Sequence, residues 1–414
     1  MVRMKNKHII SLAAALSVFF ICAASHAETW SEVVALAKKN NNELKSAEKN
    51  LEAYEWSYKK SLTSFLPQLS ASAAIGGTDT ASFSAKSSSY GLSATQSLFS
   101  GFGNINAARS AYAQMESARA NLTQKTSGIL YDVRAAFLDL LIAEKDLALQ
   151  EQILVRRTQN SKLITLLYES GKEDRGNLML TLADVESSNT AVSQAKRNLE
   201  LARLKLSQLT GTQITKTDGT SLETNTPGNV DINMLSTTSP SYAIAKYTFD
   251  IASISADQVL AELLPSVSLS GNIRKSGSDW PPQTDSRSWA LNLSYSFFPG
   301  GGNIADKVIK EIQKEQARQT FEQSKKDVLY SIKSAYDNFA NKLEGLNVSG
   351  FYVNASTERA KIARTKYVNG LMSYNDWNTI ENSFISAERA YLSAQKDTFV
   401  AEAAWHNSYG GWIK

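Results

Sequence analysis

Cysteine and histidine are almost missing from this 414-residue chain, which holds one Cys (Cys22) and three His. His8 and His26, like Cys22, fall within residues 1–27, so His406 stands alone in the remainder. That shortage excludes disulfides, Cys/His metal sites and Ser-His or Cys-His triads from the body of the chain. It implies no metal and no cofactor. Charge of one sign is also lacking. The first 27 residues take three of the 44 basic residues (Arg3, Lys5, Lys7) and none of the 40 acids, leaving 41 against 40. A nucleic-acid partner would need a basic run, and there is none. Long apolar runs are absent beyond the N-terminus as well. The best, "AAFLDLLIA", is broken by Asp139 and closed by Glu144, too short for a membrane helix. Any meeting with a membrane must then use β-structure.

The N-terminus itself reads as a secretory signal: basic "MVRMKNK", apolar residues 9–23, and "SHA" before cleavage after Ala27. Phe20 and Ile21 before Cys22 do not suit a lipoprotein signal. "TWSE" at 29–32 then reads as a capping box that starts the first helix.

What the chain does have is itself, twice. "SLFSGFGNINAA" at 97–108 returns as "SFFPGGGNIADK" at 296–307, an offset of 199 residues. Tyr168, Gly171 and Gly211 return at the same offset as Tyr367, Gly370 and Gly410. Upstream, "FLPQLSAS" at 65–72 faces "LLPSVSLS" at 263–270. Two copies of one unit follow, 28–211 and 240–414, joined by a polar connector, 212–239, with little regular structure.

The seven prolines leave 104–210 and 303–414 free for long helices. Ile380, Phe384, Ala387, Tyr391, Ala394, Thr398, Ala401 and Trp405 keep one heptad phase, as do their equivalents from Thr181 to Leu206. The spacing predicts helices over 104–170 and 174–209, then over 303–368 and 373–409. A rod from 104 to 170 would be on the order of 100 Å long. A tube or a coiled-coil stalk uses such rods; a globular domain does not. Ahead of each rod the period drops to two. Trp289, Leu291, Leu293, Tyr295 and Phe297 alternate with small polar residues, predicting hairpins at 68–98 and 266–298. Four strands cannot close a membrane barrel, so other copies of the chain must complete it.

Hairpin, long helix, Tyr-x-x-Gly turn and returning helix, all duplicated, resemble the TolC-type outer-membrane channel family. The resemblance rests on "LFSGFGNINAARSAYAQMESARANL" and "FFPGGGNIADKVIKEIQKEQARQTF", and on the turns "YESGKEDRGN" and "YVNGLMSYND". It implies a membrane α+β fold: a homotrimer whose twelve-stranded β-barrel in outer-membrane lipid continues into a periplasmic α-barrel of helical hairpins. It further implies an exit duct for efflux or type I secretion, working with a periplasmic adaptor and an inner-membrane transporter. Residues Tyr168, Gly171, Glu173, Asp174, Arg175, Asn177, Tyr367, Gly370 and Asp376 then belong to the periplasmic tip, its gate and the adaptor contact. Three copies of Asp376 would ring a constriction with carboxylates. Two departures matter. The first copy has Asn177 where an acid is usual, and Met372 replaces the Arg of the usual charge lock, leaving Glu173, Asp174 and Arg175 to supply substitute pairs. Gly101, Gly103, Asn104, Pro299, Gly300, Gly302 and Asn303 form the joint between barrel and helix, with Asn303 placed to cap.

Other motifs carry less. "SGFGN" lacks the third glycine and the βαβ setting of a dinucleotide fingerprint. His406 and the aromatic group Trp405, Tyr409 and Trp412 pack a helix end. No catalytic group emerges. The competing reading from another class is a periplasmic or surface coiled-coil structural protein whose strands form a soluble sandwich.

Overall fold

The computed structural model describes residues 28–80, 83–218, 228, 230–298 and 300–411; the expected leader, Pro299 and Trp412 lie outside them. Helices α1 (Trp30–Asn40) and α2 (Asn42–Leu62) lead into strands β1 (Gln68–Thr80) and β2 (Phe83–Ser100), then α3 (Gly103–Glu169) and α4 (Arg175–Thr210). The second half runs α5 (Ile232–Thr238), α6 (Pro240–Val259), β3 (Ser266–Gly277), β4 (Thr284–Ser294), α7 (Gly302–Val368) and α8 (Tyr374–Tyr409). Thr29 caps α1 by accepting from the Glu32 amide, and Glu32 reaches back to the Thr29 amide. Asp174 and Ser373 cap α4 and α8 at equivalent places, and Gly211 and Gly410 end those helices with positive φ.

The four strands form one antiparallel sheet in the order β1-β2-β3-β4. The ladder between β2 and β3 is therefore the seam between the two copies, and β1 and β4 are bare edges. Facing residues across the sheet share a face: Leu69, Ala94, Gly271 and Trp289 form one row, and Ala71, Leu92, Ile273 and Arg287 the next. The opposite face is polar, with Ser70 bonded to Ser93 and Asn292 to Ser270. No helix among the described residues is long and apolar enough to cross a membrane.

Helices α3 and α7 each run 67 residues, about 100 Å at 1.5 Å per residue. Their cores repeat the duplication. Leu140, Leu206 and Phe137 anchor the first, with Val33 and Ala37 of α1 laid over them. Phe339, Trp405 and Tyr336, each 199 residues on, anchor the second. There the Trp405 indole stacks on Phe339 with centroids 5.9 Å apart.

Three expectations need correction. The connector is not without regular structure, because Asp231 caps α5 within it. β4 stops at Ser294 rather than reaching residue 298, since Ser294 faces Ser266, the first residue of β3, and Pro265 before it has no amide to extend the ladder. Asn303 does not cap α7. Gly301 holds the N-cap position with φ 84°, and Asn303 is already inside the helix, where its side chain cannot reach the free amides.

Phe137 is fully buried among α1, α3 and α4. Phe137→Ala should destabilise the chain by about 3–5 kcal/mol. Chemical denaturation followed by circular dichroism checks this, and Phe137→Leu should cost clearly less.

Candidate functional site

Two places concentrate unusual backbone and polar contacts: the passage from sheet to long helix, and the turns at the far end of the helices. In the first copy β2 runs through Ser100, Gly101 takes φ 60°, and Phe102 takes φ 70° before α3 begins at Gly103. A Cβ on Gly101 would lie 2.5 Å from the Ala261 carbonyl oxygen, so the chain approaches its neighbour too closely for any side chain there. Phe102 in the left-handed region costs of order 1–3 kcal/mol, and its ring sets edge-on against Phe99 at 5.4 Å. The Ser100 hydroxyl accepts from the Asn104 amide at 3.0 Å, and the Asn104 side chain donates toward Ser97. In the second copy Gly300 and Gly301 take φ 70° and 84°, and a Cβ on either would meet open space. The same turn is thus crowded in one copy and open in the other.

At the far end Gly171 and Gly370 take φ 73° and 71° and let α3 and α7 reverse into α4 and α8. Between the two turns lies an apolar knot. Tyr367 stacks on Trp377 at 4.5 Å, Tyr374 packs edge-on against Trp377, and Ile164, Leu178 and Met372 surround them. Met372 thus serves packing where a charge was usual. From the knot the Tyr367 hydroxyl donates to Glu173 at 2.6 Å, tying the second hairpin to the first. Asn177 donates to Glu173 from the other side at 2.8 Å and to Asp174 at 3.0 Å. An acid at position 177 would repel Glu173, so Asn177 suits this arrangement. Asp174 accepts from the Asn177 amide as the α4 cap, and Ser373 does the same for Asp376. Asp376 is exposed, and its carboxylate accepts from the Ser373 hydroxyl at 2.7 Å. Arg175 forms no ion pair among the described residues, and Tyr168, on the same turn, is exposed.

Burial first, and then the bond to Glu173, pushes the Tyr367 phenol above its ordinary value. Burial also pushes Tyr374 up to about 12, with Asp184 adding to it. Both stay protonated donors at neutral pH. Their contribution to stability is complete below pH 10 and is lost only as pH rises beyond it.

Above the knot a belt of charge joins the hairpins, which the sequence did not flag. Arg157 of α3 lies 3.2 Å from Asp184 and donates to Asn378 and Asn382 of α8. Arg156 reaches Glu388 and lies over the Phe384 ring at 4.5 Å. The readable signal was Glu381 and Glu388, seven apart on α8, opposite the Arg156–Arg157 pair.

Duplicated rods, sheet and turns of this kind define a membrane-channel protomer. The profile of the outer membrane efflux protein family matches residues 33–212 and 232–411, and the chain belongs to that family. The outer membrane efflux protein BepC of Brucella suis biovar 1 (strain 1330) is 21% identical over 419 residues, spanning 98% of this chain and 90% of BepC. The fold is that of a solved membrane protein from Pseudomonas aeruginosa, with a TM-score of 0.84, 20% identity and 92% and 90% of the two chains covered. It is equally that of the open-state MtrE outer membrane channel of Neisseria gonorrhoeae, with a TM-score of 0.83, 20% identity and 93% and 89% covered. This chain is thus a protein of the outer membrane and an exit duct for efflux; the family is one of ducts, not of enzymes.

The two joints should tolerate a methyl group unequally. Gly300→Ala should cost only the left-handed penalty, about 1–2 kcal/mol, whereas Gly101→Ala adds the clash with Ala261. Outer-membrane yield of folded protein should be near normal for the first and strongly reduced for the second.

Proposed function

We propose that three copies of the chain close a twelve-stranded barrel through β1 and β4 and continue it as a helical tunnel across the periplasm. The carrying observation is the sheet: one face is apolar, the other polar, and both edges are unpaired within one chain. Trp289, Leu291 and Leu293 are 80%, 61% and 71% exposed in the single chain. Water would penalise that face and hydrocarbon would not, while hydrocarbon forbids open edges. Pairing β4 of one copy with β1 of the next answers both demands. A soluble coiled-coil structural protein answers neither. The duct makes and breaks no bond; a periplasmic adaptor and an inner-membrane transporter supply energy and cargo, with the exposed Tyr168 and Leu371 at the turns fitted to touch the adaptor.

The turns form the gate in this reading. The Tyr367–Glu173 bond stands in for the charge lock and clasps the second hairpin to the first at the narrowest point. Three Asp376 carboxylates favour cations there. In planar bilayers Tyr367→Phe should raise single-channel conductance or open probability several-fold, since the lost clasp is worth about 1–2 kcal/mol; unchanged conductance would remove the clasp from the gate. Asp376→Asn should lower the cation-to-anion permeability ratio of the same channel, and an unaltered ratio would place Asp376 away from the constriction.

A further inference from the structure

The apolar face of the sheet carries a charge where lipid would be expected. Arg287 of β4 stands in the row Ala71, Leu92, Ile273 and Arg287, one row beyond Leu69, Ala94, Gly271 and Trp289. Among the described residues no carboxylate pairs with Arg287. One row further, Lys275 faces Asp285 and lies 3.4 Å from its carboxylate. Arg287 and Lys275 are diagonal neighbours on that face, roughly 7–8 Å apart at the backbone. Beside them the sheet holds a groove of about 660 Å³ whose lining includes Leu69, Leu92, Ile273, Arg287 and Trp289.

Depth decides what such a cation meets. Each hairpin is entered from a shorter helix, α2 or α6, and leaves into a long one, α3 or α7, so its turn lies at the far end of the sheet from the helices. Arg287 is six residues from Leu293 toward those turns, about 15 Å of depth for a strand tilted by ~40°. Tyr90, facing Lys275, packs its ring 5.8 Å from Trp280 and marks the aromatic level. An arginine facing mid-bilayer hydrocarbon is costly, and that cost disappears at an interface. Lys275 shares the row of Tyr90 at that aromatic level, and Arg287, one row nearer the midplane, brings its guanidinium to the headgroups of the outer leaflet by extending its long side chain, above an acyl-sized groove.

We propose that this face is a binding site for lipid A, the phosphorylated, multiply acylated glycolipid of the outer leaflet. Arg287 and Lys275 hold one glycolipid phosphate, Arg287 through its guanidinium fork, and an acyl chain fills the groove between Trp289 and Leu92. Asp285 steadies Lys275 and leaves the cluster with one net positive charge for a doubly charged phosphate. Phospholipids of the inner leaflet are at the wrong depth. The proposal rests on the reading of the sheet as membrane-spanning with its helices periplasmic.

The test uses the full chain, purified from outer membranes in dodecyl maltoside, with assembly scored separately by heat-resistant trimers. Lipid A retained per trimer is measured by mass spectrometry for the wild type, Arg287→Ala/Lys275→Ala, Arg287→Lys and Arg274→Ala. Arg274 lies on the opposite face, bonded to Ser89, and serves as the charge-matched control. Two surface cations at about 1 kcal/mol each predict roughly a thirty-fold weaker retention in the double variant. Arg287→Lys should fall between, and Arg274→Ala should match the wild type. Equal retention by the double variant, or equal loss with Arg274→Ala, would overturn the site. Wild-type trimers in nanodiscs supply a second measurement that needs no variant. Monophosphorylated lipid A should outcompete both its dephosphorylated form and phosphatidylglycerol, and equal competition overturns the proposal. Absence of wild-type trimers would instead overturn the duct reading.

Discussion

Unpaired backbone is the constraint on which the rest of this molecule depends. Hydrocarbon offers no partner to an amide or a carbonyl, so a membrane sheet cannot end. The chain offers four strands, and two of their edges are bare. Duplication doubles two strands to four but does not close the sheet, and assembly must do the rest. The β2–β3 ladder is the place where one copy of the unit first meets the other, and it repeats within the chain the pairing that β1 and β4 require between chains. The long helices inherit their arrangement from this: strands that leave a barrel side by side deliver their helices side by side.

The two copies have not stayed equal, and their differences follow the packing. Leu140 and Leu206 of the first core correspond to Phe339 and Trp405 of the second. The first core is overlaid by the longer α1 through Val33 and Ala37, with Trp30 set edge-on against Phe137. The second is covered by the shorter α5 and by Val230, and uses large rings that stack on each other. The joints differ for a similar reason. Gly101 is pressed against the chain at Ala261, while Gly300 stands clear. Identical phrases in the sequence thus serve under different constraints.

Much of the architecture was legible because it is periodic. The heptad phase ending at Trp405, the period-two run at Trp289–Leu293 and the proline-free stretches all state local geometry directly. What stayed hidden was relational. Nothing local to Asn303 shows that Gly301 takes the cap, because the N-cap is decided by which residue last keeps extended or left-handed dihedrals. Nothing local to β4 shows its end, because Ser294 stops where its partner strand begins. Phe102 in the left-handed region has no sequence mark at all. At the tip, Glu173 was visible as a charge but its partner Tyr367 lies 194 residues away. The Arg156–Arg157 belt reaches further still, to partners 221 to 232 residues away.

The belt and the clasp differ in strength in a way that locates motion. Across the hairpins Arg156 and Glu388 expose only 25% and 17% of their side chains, and stranding one partner of such a largely buried pair costs up to about 3–5 kcal/mol. A single hydrogen bond from a tyrosine to a surface carboxylate is worth about 1–2 kcal/mol. Arg157 lies thirteen residues from Ser170, roughly 20 Å up the rod. In the gate proposed above, a force that spreads the turns breaks Tyr367 from Glu173 before it disturbs the belt. In that gate the hairpins would pivot below Arg156 and Arg157 while the tunnel above keeps its packing. A duct needs that order of strengths: an end that yields and a wall that does not.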